Sequence, residues 1–286
     1  MADAEAKRAD GLLRALARGE PFAPAVPAHA PAGDEGRAAR ALGLMEARLR
    51  ATIDELRAIP PADRDEEALR AVGRLAAAAY ALRATASWVE RSPADAAVLP
   101  PLVDRVAVSA LREASPPGGG PDELGPEPEG ALAAVARAWE GDRGEVARGS
   151  AWSVLLATVR DRLARAIRPP TFPVSSPMLR PFGDAVARRA ERFGRAVAAR
   201  SDPERLAAAA VELAASSCAL ARLDAAVASG AAGPDDHAAA ELFLREAGGR
   251  FDALLGGRPR DSGREAAEAG RALLRPRLRP TPPAGP

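Results

Sequence analysis

Residues 69–91, LRAVGRLAAAAYALRATASWVER, set the character of the whole chain. Their larger apolar residues recur at the three- and four-residue spacing of one helix face. Alanine, which fills the remaining positions, is the best helix former and a poor strand former. The segment therefore predicts one long helix with an apolar face. We expect it to begin near Asp63 and to end near Arg91, before Ser92-Pro93.

The composition of the rest of the chain indicates the same class of fold. Of 286 residues, 47% are hydrophobic and only 3% aromatic, because most of the apolar residues are alanine. No segment alternates apolar and polar residues as a half-buried strand would. An all-α protein is expected. The predicted helices cover residues 3–18, 35–58, 63–91, 101–114, 129–139, 144–168, 177–200, 203–229, 235–255 and 262–275.

Proline-rich stretches divide the chain into segments. Pro60-Pro61 stop the second helix, and Pro169-Pro170 mark the clearest linker. Pro100-Pro101 are expected to interrupt the chain before a helix from 101 to 114. Short connectors between 200 and 235 favour antiparallel neighbouring helices. The predicted organisation is an N-terminal helical segment with a Pro-rich linker, a helical bundle, a second smaller helical bundle and a disordered tail: residues 1–59, 60–170, 171–275 and 276–286.

Charge and cysteine content limit the classes of partner and site. Forty basic and 39 acidic residues give a net charge of +1, so no overall field would attract nucleic acid. Cys218, the single cysteine, cannot form an internal disulfide and is expected to be a small buried residue. The N-terminus has no apolar stretch behind a basic start, as a secretory signal would. A cytoplasmic protein is expected.

Few catalytic motifs are compatible with this sequence. Two histidines and one cysteine cannot build a common zinc site. Neither a nucleophile elbow, a phosphate loop nor a dinucleotide fingerprint is present. Residues 118–120, Gly-Gly-Gly, are flanked by predicted helices rather than by a strand, so they do not form a phosphate loop. Glu140, at the end of a predicted helix and before Gly141, is the carboxylate with the most specific setting.

The order of several motifs resembles the acyl-CoA dehydrogenase family, in particular its very-long-chain branch. In the C-terminal helical domain of that family, an Ala-Leu-Gln helix end leads into Gly-Gly, then a connector, a short helix and a Glu-Gly motif. Here residues 110–112 (Ala-Leu-Arg), 118–120 and 139–141 (Trp-Glu-Gly) follow in that order at comparable spacing. Residues 175–255 resemble the additional helical domain of the very-long-chain enzymes.

The resemblance implies roles for individual residues. Glu140 occupies the position of the base that removes the α-proton of the acyl thioester. Arg112 replaces the glutamine near the flavin, and Gly118 and Gly119 occupy the adjoining cofactor-side positions. The family binds FAD, but here residue 58 leads directly into the C-terminal helices, without the flavin-binding β-domain. No cofactor is therefore predicted for this chain alone.

Three functions are compatible with these observations. The first is a non-catalytic partner or scaffold subunit in fatty acyl-CoA oxidation, as a homo-oligomer or with a full-length acyl-CoA dehydrogenase homologue. In the second, Glu140 serves as the base of a composite site with such a partner. The third is an unrelated Ala/Arg-rich helical interaction protein. Arginines between 258 and 279 form a basic run, which indicates weak contact with a membrane surface as an alternative to a solvated chain end.

Overall fold

The fold is all-α, as the composition predicts. A computed structural model describes residues 11–26, 36–114, 124–140, 171–199, 202–257 and 262–275, and within these ranges it contains helices and no strands. Short 3₁₀ turns at Pro61–Asp63, Pro93–Val98 and Pro177–Leu179 precede three of the helices. The nine helices of the described residues are α1 (Leu12–Ala17), α2 (Arg37–Arg57), α3 (Glu66–Val89), α4 (residues 99–113), α5 (Ala131–Glu140), α6 (Arg180–Ala198), α7 (Pro203–Ala228), α8 (Pro234–Leu254) and α9 (Gly263–Leu273).

Most helix boundaries lie within a few residues of the predicted ones. Helix α3 begins later than expected because Asp65, not Asp63, is its N-cap and accepts hydrogen bonds from two backbone N–H groups of the first turn. The expected short turn at 93–98 is present as Pro93–Val98, but the helix expected from 101 begins two residues earlier, so Pro100-Pro101 do not lie before it. Both prolines lie in the first turn of α4, where a backbone N–H has no intrahelical acceptor. The helix predicted at 144–168 lies outside the described residues.

Helix α3 forms the centre of the fold. It packs most extensively against α9, and then against α8, α2 and α7. Almost every residue from Ala71 to Trp88 is buried, including the run Ala76–Ala79. Because a methyl group is the only side chain at these positions, neighbouring helices approach α3 closely from several sides. The many alanines of α3 thus allow this helix to be buried on nearly all sides.

The contact between α3 and α9 depends on two glycines. A Cβ atom on Gly73 would collide with the backbone oxygen of Ala266, and one on Gly270 would collide with the backbone oxygen of Leu69. Each helix therefore places a glycine opposite the backbone of the other. The two helices can cross at this distance only because both positions lack a side chain.

A buried carboxylate attaches the short helix α1 to the rest of the fold. Asp95 is 1% exposed and accepts hydrogen bonds from the backbone N–H groups of Leu12 (2.9 Å) and Leu13 (3.2 Å). It also accepts from Trp88 Nε1 at 2.9 Å and from Ser92 Oγ at 3.1 Å. Four donors from two distant parts of the chain thus satisfy one carboxylate, which is the condition for burying it at acceptable cost.

Helix α7 is the second major element of the core. By length and composition alone it could cross a membrane, but 94% of its most apolar window is buried inside the protein. Its burial is that of a core helix.

The helices of the two predicted bundles share one hydrophobic core. Buried residues from Leu12 in α1 to Ala269 in α9 form one continuous cluster, and a small second cluster lies between α2, α3 and the C-terminal end of α9. Within the described residues, α3 from the 60–170 segment therefore packs mainly against helices that the sequence places in other segments. The predicted boundary at residue 170 between two helical bundles stays a prediction.

The close crossing of α3 and α9 leads to a specific prediction. We expect Gly73→Ala to lower the free energy of unfolding by about 2–3 kcal/mol, because the added methyl group forces the two backbones apart. Gly43→Ala is a matched control, since Gly43 is an exposed position inside α2 with no atom within 4 Å of a Cβ placed there. Gly43→Ala should raise the free energy of unfolding by about 0.5–1 kcal/mol, because alanine has a higher helix propensity than glycine. Urea unfolding measures both; equal effects of the two substitutions would contradict the crossing.

Candidate functional site

The structure describes only part of the predicted site. Glu140 is the last residue of α5, but its side chain lies outside the described residues, as do Gly118 and Gly119. Arg112 is described and is exposed near the end of α4. The roles that the resemblance implies for Glu140, Gly118 and Gly119 therefore stay predictions.

The described residues do not bring Arg112 to the helix that carries Glu140. Helix α5 packs against Pro93–Val98 and against the first turn of α4, as well as against α1 and α7. Arg112 lies ten residues beyond that first turn, which corresponds to about 15 Å along a helix. The role that the resemblance implies for Arg112 therefore also stays a prediction.

A second group of charged residues, which the sequence analysis does not identify, lies between α4, α7 and α8. Glu212 of α7 is completely buried. Its Oε1 accepts a hydrogen bond from Arg250 Nε at 3.0 Å and lies 3.5 Å from Arg105 Nε. Two guanidinium groups thus compensate one carboxylate that has no contact with solvent. Glu212 Oε2 has no hydrogen-bond partner among the described residues.

The same network continues toward the surface through α3 and α8. Glu246 lies 3.7 Å from Arg250 Nη1, and it accepts hydrogen bonds from Arg74 Nε at 3.1 Å and from Ser262 Oγ at 2.7 Å. Arg74 Nη1 also donates to Glu113 at 2.8 Å. Three arginines and three glutamates therefore alternate from Arg105 to Glu113 and join four helices.

Each charge in this network stabilises its neighbours. Burial lowers the pKa of Arg250, but the nearby carboxylates of Glu212 and Glu246 more than offset this, so its pKa is raised overall. Arg74 behaves in the same way, with burial opposed by Glu113 and Glu246. Both side chains therefore remain cationic.

The network borders an open hollow of about 320 Å³. Arg74, Arg105 and Arg250 all line it, together with apolar residues that include Val106 and Phe243. Arg105 belongs to the segment Val103–Val108, which forms a π-helical turn inside α4. Such turns are rare in proteins and frequently occur at functional sites. The hollow is consequently a candidate for a binding site among the described residues.

One sequence signal could have located this network. Glu212 is the only charged residue between Leu206 and Leu220, in a run that is otherwise alanine, serine, cysteine and larger apolar residues. A carboxylate in the middle of an apolar run predicts a buried ion pair. Its partner could not be predicted, since Arg250 is 38 residues away and approaches only when α7 and α8 pack together.

Other chemically reactive or charged residues lie in the core, where their surroundings indicate a structural role. Cys218 is completely buried in α7, and burial raises the pKa of its thiol well above the ordinary value, which disfavours the reactive thiolate. This agrees with its prediction as a small buried residue. Tyr80 and Arg222 lie together in the core, with the guanidinium 5.7 Å from the centre of the ring. No group of three or more potential metal ligands occurs among the residues that the structure describes.

Comparisons with known proteins do not assign a family. No protein-family model, curated protein or solved structure matches the chain.

The burial of Glu212 leads to a prediction about stability. We expect Glu212→Gln to lower the free energy of unfolding by about 3 kcal/mol, because it leaves two partly buried guanidinium groups without their shared charge. That is the low end for a broken buried pair, since the Arg105 and Arg250 side chains keep 26% and 32% exposure. Glu268→Gln is the control, because its pair with Arg264 is exposed and should contribute less than about 1 kcal/mol. Similar losses of unfolding free energy in both variants would show that the buried network stabilises the protein no more than an exposed ion pair does.

Proposed function

We propose that this protein is a helical partner or scaffold subunit, without catalytic activity of its own, in fatty acyl-CoA oxidation. It would form a homo-oligomer or bind a full-length acyl-CoA dehydrogenase homologue. The link to acyl-CoA oxidation rests on the resemblance carried by residues 110–141 and 175–255. The structure supports only the more general statement that such a subunit would be an all-helical protein with its own hydrophobic core.

The observation that supports a separate subunit is the closed hydrophobic core. Helices α2, α4, α7, α8 and α9 pack against α3, and buried residues of α1 to α9 form one continuous cluster. A chain with such a core can fold without a β-domain to cover any of these helices. This is what a subunit needs if it is to associate with a flavoenzyme rather than to contain the flavin site itself.

The location of Arg112 also favours a non-catalytic role. Abstraction of an α-proton next to hydride transfer requires the base, the thioester and the flavin to lie together. Arg112 is exposed, and the helix that ends at Glu140 packs at the other end of α4. The composite-site alternative requires a partner to bring the missing groups to Glu140.

Contact with a membrane surface is a subordinate part of the proposal. Of the basic run near the C-terminus, Arg264, Arg271 and Arg275 are exposed on or beside α9. Exposed arginines can interact with anionic lipid. The remaining arginines of the run lie outside the described residues, and a cytoplasmic location remains the prediction.

Co-expression with an acyl-CoA dehydrogenase from the same genome tests the proposal directly. We expect the two chains to elute together in size-exclusion chromatography and the flavin to remain with the dehydrogenase. The protein purified alone should show no visible flavin absorbance. Stoichiometric flavin in the isolated chain, or separate elution from every acyl-CoA dehydrogenase of that genome together with a monomeric state, would contradict the proposal.

A single substitution distinguishes the two acyl-CoA dehydrogenase hypotheses. Under a scaffold role, Glu140→Gln in the co-expressed pair should leave turnover of the acyl-CoA substrate unchanged. If Glu140 is the base of a composite site, the same substitution should lower turnover by about a hundredfold or more, because general base catalysis contributes that much. Co-elution of the variant pair is the control for assembly.

A further inference from the structure

The arginines that line the hollow differ in how far nearby carboxylates compensate their charges. Arg74 is engaged by two carboxylates, Glu113 at 2.8 Å and Glu246 at 3.1 Å. Among the described residues, Arg105 forms an ion pair with Glu212 alone, at 3.5 Å, and the oxygen that it approaches already accepts a hydrogen bond from Arg250. The least compensated cation of the network therefore lies at the α4 side of the hollow.

Two guanidinium groups that line the hollow retain unused hydrogen-bond donors. Nε of Arg105, which lies 3.5 Å from Glu212 Oε1, and Nη2 of Arg250 are buried and form no hydrogen bond within the described parts of the chain. An unpaired buried donor is costly, so such a pair of arginines favours the binding of an acceptor between them. Guanidinium groups match oxyanions well, because their planar donors fit two oxygen atoms at once.

The other residues around the hollow restrict the class of anion. Glu113 and Glu246 also line the hollow, and their negative charges oppose a multiply charged anion more strongly than a singly charged one. Val106, Ala78, Phe243 and Ala253 line the hollow beside the arginines, and the first three are largely buried. A volume of about 320 Å³ is at the small end of ligand sites. These features suit a ligand with one negative charge and a short hydrocarbon part.

We propose that this hollow binds a small aliphatic monocarboxylate, with its carboxylate group between Arg105 and Arg250 and its hydrocarbon part against Val106 and Phe243. The π-helical turn of Val103–Val108 changes the direction of side chains along α4 and places Arg105 at the hollow. Ligand binding would complete the hydrogen bonds that the ion-pair network leaves open. This proposal does not depend on a role in acyl-CoA oxidation.

Titration calorimetry of the full chain with butyrate tests the proposal. We expect saturable binding of one butyrate per chain in the millimolar range, and weaker binding of inorganic phosphate at a pH where it is a dianion. Arg105→Gln should weaken butyrate binding by about tenfold or more, the effect of losing a charge-assisted hydrogen bond. Arg264→Gln is the matched control, because Arg264 is an exposed arginine outside the hollow and its loss should leave binding unchanged.

The location of the ligand is tested independently of any variant. In the wild-type protein, the methyl protons of butyrate should give intermolecular nuclear Overhauser effects to the ring of Phe243. This measurement tests the location of bound butyrate even if the Arg105→Gln variant does not fold. Absence of saturable butyrate binding, equal affinity in the Arg105→Gln variant, tighter binding of phosphate, or bound butyrate without an effect at Phe243 would each overturn the proposal.

Discussion

The close approach of other helices to α3 is the constraint on which this structure depends. Gly73 and Gly270 let α3 and α9 cross with their backbones in contact, and the alanines from Ala76 to Ala79 let further helices approach from other sides. Aromatic residues make up only 3% of the chain, so leucine, valine and alanine side chains form most of the core. Where α3 meets its neighbours, alanines and glycines also reduce the distance between helices.

Such dense packing leaves little room for charged groups, and those that are buried have defined roles. Asp95 joins the N-terminal helix to the end of α3, and Glu212 joins α7 to α8 and α4. Both carboxylates connect elements that are distant in sequence. The network around Glu212 differs in one respect, because it reaches the surface and, among the described residues, leaves one nitrogen each of Arg105 and Arg250 without a hydrogen bond.

Helix positions were largely predictable from the sequence, whereas helix packing was not. Proline, glycine and capping residues act locally, so the ends of α7 at Pro203 and Gly230 can be recognised without knowledge of the fold. The apolar pattern of α3 does not reveal its neighbours, because alanine occurs on nearly every face. The charged site was missed for a related reason: Arg105, Glu212 and Arg250 lie on three helices, and only their packing brings them together.

Native-state hydrogen exchange tests the central claim, that the described helices form one core around α3. Amides of α3, α7 and α8 should all exchange with the free energy of global unfolding, since each is buried in the same cluster. Protection measured by NMR or mass spectrometry would then reach one common maximum across these helices. Two separate maxima, one for residues 66–113 and another for residues 180–254, would contradict a shared core and indicate two independently unfolding bundles.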